Sequence, residues 1–493
     1  MKLLRHVLSC AVNVVIVAVI VADQSSVNAV DRPNIVLIFA DDLGWKDVGY
    51  QGSDFMETPN LDRLAKQGMV FTAGYAAAGN CAPSRACLLS GNYTPRHHVY
   101  AVGSTGRGDK TQQRLIPVPN RQGLGSEHLT IAEALKAAGY ATGHFGKWHL
   151  AGKDGALPTQ QGFDVSFDSN GEGEVKEGSE GNKTGPPSDP KGVFTLTRKA
   201  CEFMESNKDR PFFCYLAHHA IHTPLQARTE TVAKFELKTP GSQHNNAMYA
   251  ACTYDLDASV GVLLDKLDEL NLAGNTLLVF TSDNGGTQRS SQEPLRGNKG
   301  CYYEGGIREP FIVRWPGVTQ AGSQCDVPVI NVDLFPTFLA AAGSVIPEGK
   351  VLDGESLLPL PGGNGKLNRQ AIFWHFPGYL DDPVIRGREL DVRTGFRSRP
   401  VSVIHKGDWK LHLYHEEWQL DGGRERLAEN NAVELYTLHD DIGERNNVSP
   451  TQPAIRDELL SDLLAWHRST KALIPHEPNP AYQSNASGSP GNK

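Results

Sequence analysis

Asn34-Ile-Val-Leu-Ile-Phe-Ala40 runs straight into Asp41-Asp42, and Thr276-Leu-Leu-Val-Phe-Thr-Ser282 runs straight into Asp283-Asn284. Both runs are apolar at successive rather than alternate positions, the pattern of strands buried on both faces of a parallel sheet covered by helices. Two more runs behave alike. Pro211-Phe-Phe-Cys-Tyr-Leu-Ala217 leads into His218, His219 and His222, and Ala141-Thr-Gly-His-Phe145 is followed by Lys147 and His149. Such sheets bind ligands at the carboxyl ends of their strands, so four strands delivering polar side chains there predict one shared site.

Between the strands the helix ends are readable, which gives an alternating α/β order. Thr130 and Glu133 have capping-box spacing ahead of the buried stripe Ile131, Leu135 and Ala138, and Gly139 closes that helix. Thr58-Pro59 starts another, with Leu61, Leu64 and Ala65 facing inward before Gly68, and residues 247–270 read as a longer one. From about Val401 the texture changes to short strands, Val401 to Ile404, Trp409 to Tyr414 and Ala432 to Tyr436, then a helix around Ile455 to His467. The expected fold is α/β, a large sheet flanked by helices over residues 30–385, with a smaller C-terminal α+β domain over 386–473. Residues 103–125, 170–192 and 361–367 read as long loops and 474–493 as a disordered tail.

With 493 residues, 39% hydrophobic and 8% aromatic, the chain has apolar mass for a large core. A formal net charge of -8 argues against a surface built as a whole to grip nucleic acid, so anion binding must be local. Residues 1–29 set Lys2, Arg5 and His6 ahead of the apolar run Ala11 to Ala22 and end on Val27-Asn28-Ala29, the layout of a cleavable signal peptide. That run is short of the ~20 residues a membrane span needs. The expectation is a secreted or periplasmic protein with no stable membrane anchor. Eight cysteines, at 10, 81, 87, 201, 214, 252, 301 and 325, form no C-x-x-C pair and no cluster at zinc spacing. Seven survive signal removal, and an odd thiol in an exported protein needs an explanation.

Asp41, Asp42 and Asp283, with the amide oxygen of Asn284, make an all-oxygen ligand set of the kind that selects calcium or magnesium. A single Asp-Asp pair after a strand is ordinarily a cap or turn. Two acidic pairs ending two buried strands point instead to a metal. Three carboxylates and an amide suit a dedicated calcium cage better than magnesium, which keeps several waters.

Cys81-Ala-Pro-Ser-Arg85, followed by Leu89-Ser90-Gly91, matches C-x-P-S-R-x-x-x-L-[ST]-G, the signature of the formylglycine-dependent sulfatases. Asp41-Asp42-Leu43-Gly44, Thr58-Pro59-Asn60-Leu61-Asp62, Gly146-Lys147-Trp148-His149, Ser282-Asp283-Asn284-Gly285 and Lys299 before Glu304-Gly-Gly-Ile-Arg308 look like that family's motifs in its order. The likeness runs on to Gly407-Asp-Trp-Lys410 and Glu434-Leu-Tyr436. The chain thus resembles the arylsulfatase-like members of the alkaline phosphatase superfamily.

The resemblance implies an alkaline-phosphatase-like sheet, hydrolysis of sulfate monoesters on a sulfated sugar or aryl sulfate, and one calcium ion. It implies that a maturation enzyme oxidises Cys81 to formylglycine, which joins Asp41, Asp42, Asp283 and Asn284 at the metal. Arg85, Lys147 and Lys299 would stabilise the sulfuryl oxygens, His222 would protonate the leaving alcohol, and His149 would take the proton whose loss expels sulfate. A lone Lys or Arg is ordinarily solvated and a lone His structural, so each role leans on its motif. Ile221 stands where the family usually has proline, which leaves His218 and His219 open for the role of His222. Two rival functions stay open: a phosphonate or phosphodiester hydrolase, and a non-catalytic binder of sulfated glycans. Arg107, Arg114 and Arg121 either recognise an acidic sugar or form a solvated basic loop.

Overall fold

The computed structural model describes residues 32–168, 185–361, 365–381 and 395–483. The expected signal peptide, most of the 170–192 loop and the last ten residues lie outside them. The main sheet contains β1 (Asn34–Ala40), β2 (Met69–Phe71), β3 (Ala141–Gly146), β4 (Val165–Phe167), β5 (Phe212–Ala217), β6 (Thr276–Ser282), β7 (Ile312–Arg314) and β8 (Ser323–Cys325). Their spatial order is β8-β2-β7-β6-β1-β5-β3-β4. The four strands foreseen from the apolar runs are its adjacent centre, β6-β1-β5-β3, all parallel. β7 runs antiparallel to β6 and β2, so the sheet as a whole is mixed.

Helices α1 (Pro59–Gln67), α2 (Cys81–Ser90), α3 (Ile131–Ala137), α4 (Val193–Ser206) and α5 (Ala247–Glu269) cover the two faces. Val36 and Ile38 of β1 pack in one core with Leu256 and Leu263 of α5, while Ile35, Leu37 and Phe39 pack in another with Leu88 of α2 and Leu135 of α3. Both faces of the strand are therefore apolar, which is why its sequence shows no alternation. The capping box of α3 forms: Glu133 N–H donates to Thr130 Oγ1 at 3.3 Å, and Thr130 N–H donates to Glu133 Oε2 at 2.7 Å. At α1 the threonine does something else. Asp257 of α5 accepts from the Asn60 and Leu61 N–H groups at 3.0 and 2.7 Å, leaving Thr58 Oγ1 to accept from Gly49 N–H at 2.7 Å.

A second, antiparallel sheet is formed by β9 (Ala371–Phe376), β10 (Val401–Lys406), β11 (Trp409–Tyr414) and β12 (Val433–Thr437) in that order, with α6 (Pro453–Thr470) packed on it. It takes in Ala371 to Phe376, ahead of the expected boundary at 386, because β9 pairs with β10 along its whole length. The first part of the expected tail is ordered. Ile116 N–H donates to Glu477 O, Asn479 N–H to Arg114 O and Gln483 N–H to Thr111 O, each at 2.9 Å, so residues 477–483 are held along the 103–125 loop. All seven described cysteines are free thiols, so the odd count carries no information about Cys81. Among the described residues no helix is long and apolar enough to cross a membrane.

Buried charge joins β11 to the 304–308 segment. Lys410 of β11 reaches Glu304 Oε1 at 2.8 Å and Glu444 Oε1 at 3.1 Å, Arg308 reaches Glu304 Oε2 at 2.9 Å, and His412 Nε2 lies 3.0 Å from Glu444 Oε1. The Glu304-to-Arg308 and Gly407-to-Lys410 motifs thus meet each other rather than the strand ends. Removing one partner of a buried pair strands the other charge, so Lys410→Met is expected to destabilise the fold by about 3–5 kcal/mol. Urea unfolding checks this; a loss under about 1 kcal/mol, the scale of an exposed pair, would make the joint unimportant.

His375 of β9, His415 just after β11 and His467 of α6 converge on the Ser402 hydroxyl, at 2.7, 2.9 and 2.9 Å. His375 Nε2 lies 3.0 Å from Leu473 O and donates there, so its Nδ1 accepts the Ser402 proton while the other two rings donate to Ser402 Oγ. The hub needs His375 neutral, because its Nδ1 must accept, and burial also disfavours a charge on His415 and His467. Burial holds His375 and His467 down, at about 4 and about 3. Their unfolded value is about 6.5, so below that pH the unfolded chain takes up protons that the folded one refuses. The stability is present in full above pH about 6.5 and is lost progressively as pH falls from there toward about 4. The melting temperature should drop across this window, and less steeply in His467→Gln; equal slopes would refute the hub's contribution.

Candidate active site

The central ladders end level: Ala40 pairs with Ser282, Phe39 with Ala217 and Gly146 with Ala217. The next residues, Asp41, Asp283, His218 and Lys147, therefore leave the sheet along one edge. Gly146 takes φ 111° and packs on the Ala217 carbonyl, which Lys147 N–H also meets at 2.7 Å, so a side chain at 146 would block this turn. Asp42 and His149 are left-handed, at φ 67° and 61°. Each costs about 1–3 kcal/mol, a cost characteristic of sites that aim a side chain.

Cys81 opens α2, and the N-terminus of a ten-residue helix offers free N–H groups and a positive dipole end to an anion. Its Sγ lies 3.6 Å from Asp41 Oδ1 and 4.0 Å from Asp42 Oδ1, and accepts from Lys299 Nζ at 3.1 Å. Burial pushes the thiol up to about 12, so as a thiol it is a poor nucleophile near neutral pH. One turn on, Arg85 donates through Nε and Nη2 to Asp283 Oδ2, at 3.0 and 2.7 Å. Lys147 Nζ reaches Asp41 Oδ2 at 2.7 Å and Lys299 Nζ reaches Asp42 Oδ1 at 2.6 Å. Burial alone would raise the Asp41 carboxyl, yet Lys147, His222 and Arg85 hold it well below the carboxylate range, whereas burial and Asp41 raise Asp283 to about 6.

Oxygens of Asp41, Asp42 and Asp283 and the sulfur of Cys81 all lie within 4.8 Å of one another. Asn284 Nδ2 donates to Asp42 Oδ1 at 2.8 Å, while its Oδ1 is buried with no hydrogen-bond donor among the described residues. A hard cation fits this donor set: converging carboxylates repel, and a buried amide oxygen without a partner is costly.

Of the three competing histidines, His222 has its ring at the site, with Nε2 3.9 Å from Asp42 Oδ2 and Nδ1 2.6 Å from Thr223 O. His218 points to Ser259 on α5 and His219 pairs with Asp168 at 2.8 Å. Burial lowers His222 from its ordinary value. His149 sits half-buried two residues past Lys147. The three loop arginines are paired: Arg107 with Asp381, Arg114 with Asp421 and Arg121 with Glu127, at 2.7, 2.8 and 2.5 Å.

Sequence reasoning missed two supports. Asp47 accepts from Gly44 N–H at 2.8 Å and from the Tyr249 hydroxyl at 2.6 Å, bracing the turn that carries Asp42. Lys191, 8% exposed, lies close enough to feel the charge of Asp41 and Asp42. Asp47 carries no local signal, and Lys191 in Asp-Pro-Lys-Gly reads as an ordinary turn lysine.

A family model described as sulfatase matches residues 33–344, and one described as N-sulphoglucosamine sulphohydrolase, C-terminal, matches residues 297–395. Arylsulfatase A of Homo sapiens is 34% identical over 480 residues, covering 87% of this chain and 86% of that protein. N-acetylgalactosamine-6-sulfatase of Mus musculus is 35% identical, over 90% of this chain and 88% of its own length. Among solved structures, Ps i-CgsB in complex with k-i-k-neocarrahexaose is 29% identical, with a TM-score of 0.69 over 90% of this chain and 95% of that one. The family match covers well over half the chain and the relatives align along nearly their whole lengths, so this chain belongs to the sulfatase family, as a sulfuric ester hydrolase on an alkaline-phosphatase-like fold.

Proposed function

We propose that this sulfatase is exported and removes sulfate from a sulfated glycan, using Cys81 converted to formylglycine and one calcium ion. The observation that carries the reading is Cys81, within a complete Cys81-to-Gly91 motif, lying at a helix N-terminus 3.1 Å from Lys299 and 3.6 Å from Asp41. A glycan is favoured because one relative is named for a 6-sulfated hexosamine and a solved neighbour holds a neocarrahexaose. Export rests on the charge and apolar pattern of residues 1–29.

In this reading Asp41, Asp42, Asp283 and the orphaned Asn284 oxygen hold the calcium, which when bound supplies Lewis-acid polarisation. Formylglycine, once hydrated, supplies two hydroxyls on one carbon, one to attack sulfur and one whose deprotonation releases sulfate. The other residues bind, orient and move protons. Arg85, Lys147, Lys299 and the α2 N-terminus receive the sulfuryl oxygens as charge builds on them. His222, with Nδ1–H donating to Thr223 O, gives the leaving alcohol its proton from Nε2 as the imidazolium, the form that burial disfavours and the charges of Asp41 and Asp42 favour. His149 accepts the proton of the second hydroxyl.

Peptide mass spectrometry should find an aldehyde at position 81, and sulfate should be released from a panel containing N-acetylgalactosamine 6-sulfate and neocarrahexaose. The same preparation should show a higher kcat/KM for nitrophenyl sulfate than for nitrophenyl phosphate or a phosphonate monoester. A sulfate monoester carries one negative charge against nearly two on a phosphate monoester, and a site with one divalent ion favours the former. Faster turnover of either phosphorus ester would overturn the preference for sulfate.

A further inference from the structure

His222 is a third exposed at its side chain, so packing alone does not fix its ring. The segment that presents it is tied down upstream: Asp41 N–H donates to Ala220 O at 2.9 Å, Ile221 N–H donates to Asp41 O at 2.6 Å, and His219 is held by Asp168. Downstream, the Pro224 carbonyl accepts from Lys191 Nζ at 3.0 Å. Lys191 comes from the loop that enters α4 and is more than nine-tenths buried. Among the described residues its hydrogen-bond acceptor is a neutral carbonyl and no carboxylate. Burial lowers this lysine despite the pull of Asp41 and Asp42, and a desolvated ammonium held by a carbonyl is expensive, so what it holds explains it better than fold stability does.

We propose that Lys191 is a positioning residue for the general acid: its ammonium holds the Pro224 carbonyl and thereby keeps His222 Nε2 turned into the site. This rests on the reading of His222 as the proton donor. Thr223 lies between the two anchors, and its carbonyl holds His222 Nδ1, so release of Pro224 frees both the backbone and the ring orientation of the acid. Misplacing a catalytic group by about 1 Å can cost about 10²-fold in rate.

A double-mutant cycle on Lys191→Met and His222→Ala tests this, with nitrophenyl sulfate and with the panel sugar that the native enzyme desulfates fastest. A missing or misplaced acid hurts a poor leaving group far more than a good one. Lys191→Met should lower kcat on the sugar about 10- to 100-fold with little change in KM, and leave nitrophenyl sulfate turnover near native. In the His222→Ala background it should cost nothing further, and Lys191→Arg, which keeps a donor, should restore most of the rate. Lys191→Ala serves if the methionine variant does not fold. Equal loss on both substrates, or an undiminished loss in the His222→Ala background, overturns the inference. If His222→Ala itself costs the same on both substrates, the acid assignment falls, and the coupling in the cycle still decides whether Lys191 acts through His222.

Discussion

Cys81→Ser is expected to stop the enzyme after at most one turnover per active site. The introduced hydroxyl would sit at the α2 N-terminus, amid Lys299 and the Asp41 and Asp42 carboxylates, where it can still attack sulfur while the alcohol leaves with a proton. The S–O bond to the sugar breaks and a new S–O bond to the serine forms. That carbon carries no second hydroxyl, so the sulfate has no C–O route out and stays on the protein. Steady turnover should fall by about 10⁴- to 10⁶-fold, the scale of losing a nucleophile. Rapid mixing with nitrophenyl sulfate should give a burst of no more than one equivalent of nitrophenol, and the peptide should gain the mass of one SO₃. Cys81→Ala should give no burst at all. Sustained turnover by the serine variant near the native rate would remove the need for formylglycine.

The parts of this protein legible in its sequence are those where local pattern and tertiary role coincide. β1 and β6 are apolar on both faces because both faces are covered, so a continuous run names a central parallel strand and the residue after it names the site. Asp41, Lys147 and Asp283 were found that way, by position at a strand end. The capping box of α3 was equally local. What stayed hidden depends on partners distant in the chain. Arg107, Arg114 and Arg121 look like a basic loop until Asp381, Glu127 and Asp421 are seen beside them. Residues 474–493 read as a disordered tail, yet residues 477–483 supply backbone partners to Thr111, Arg114 and Ile116. The odd cysteine count is uninformative for a related reason: it matters only if the other cysteines pair, and no pair forms among the described residues. Ala371-Ile-Phe-Trp-His-Phe376 is as apolar as the central strands but pairs antiparallel with β10, and nothing in the run itself says which sheet it joins.

Asp283→Ala is expected to abolish both bound calcium and activity, and the reason lies in how the carboxylate is shared. Oδ2 takes the two bonds from Arg85, while Oδ1 accepts the Asp42 N–H at 3.2 Å, so Asp283 ties the β6 end of the donor set to the β1 end. Its loss removes one of three negative charges that would hold the cation and leaves the buried Arg85 guanidinium beside the gap. Loss of an outer-shell partner typically weakens a metal site by about 10- to 100-fold, and loss of a ligand should cost more. Elemental analysis after dialysis should find about one calcium per native chain and none in the variant. Added calcium should raise the melting temperature of the native protein and leave the variant unmoved, a readout independent of turnover. Asp283→Asn separates charge from geometry. It keeps an oxygen for Arg85 and the same shape, so calcium loss there follows from the missing charge rather than from a displaced arginine. A variant that still binds one calcium with native affinity would strike Asp283 from the ligands. Stoichiometric zinc in the native protein, with no oxygen-bound cation, would overturn the whole donor set.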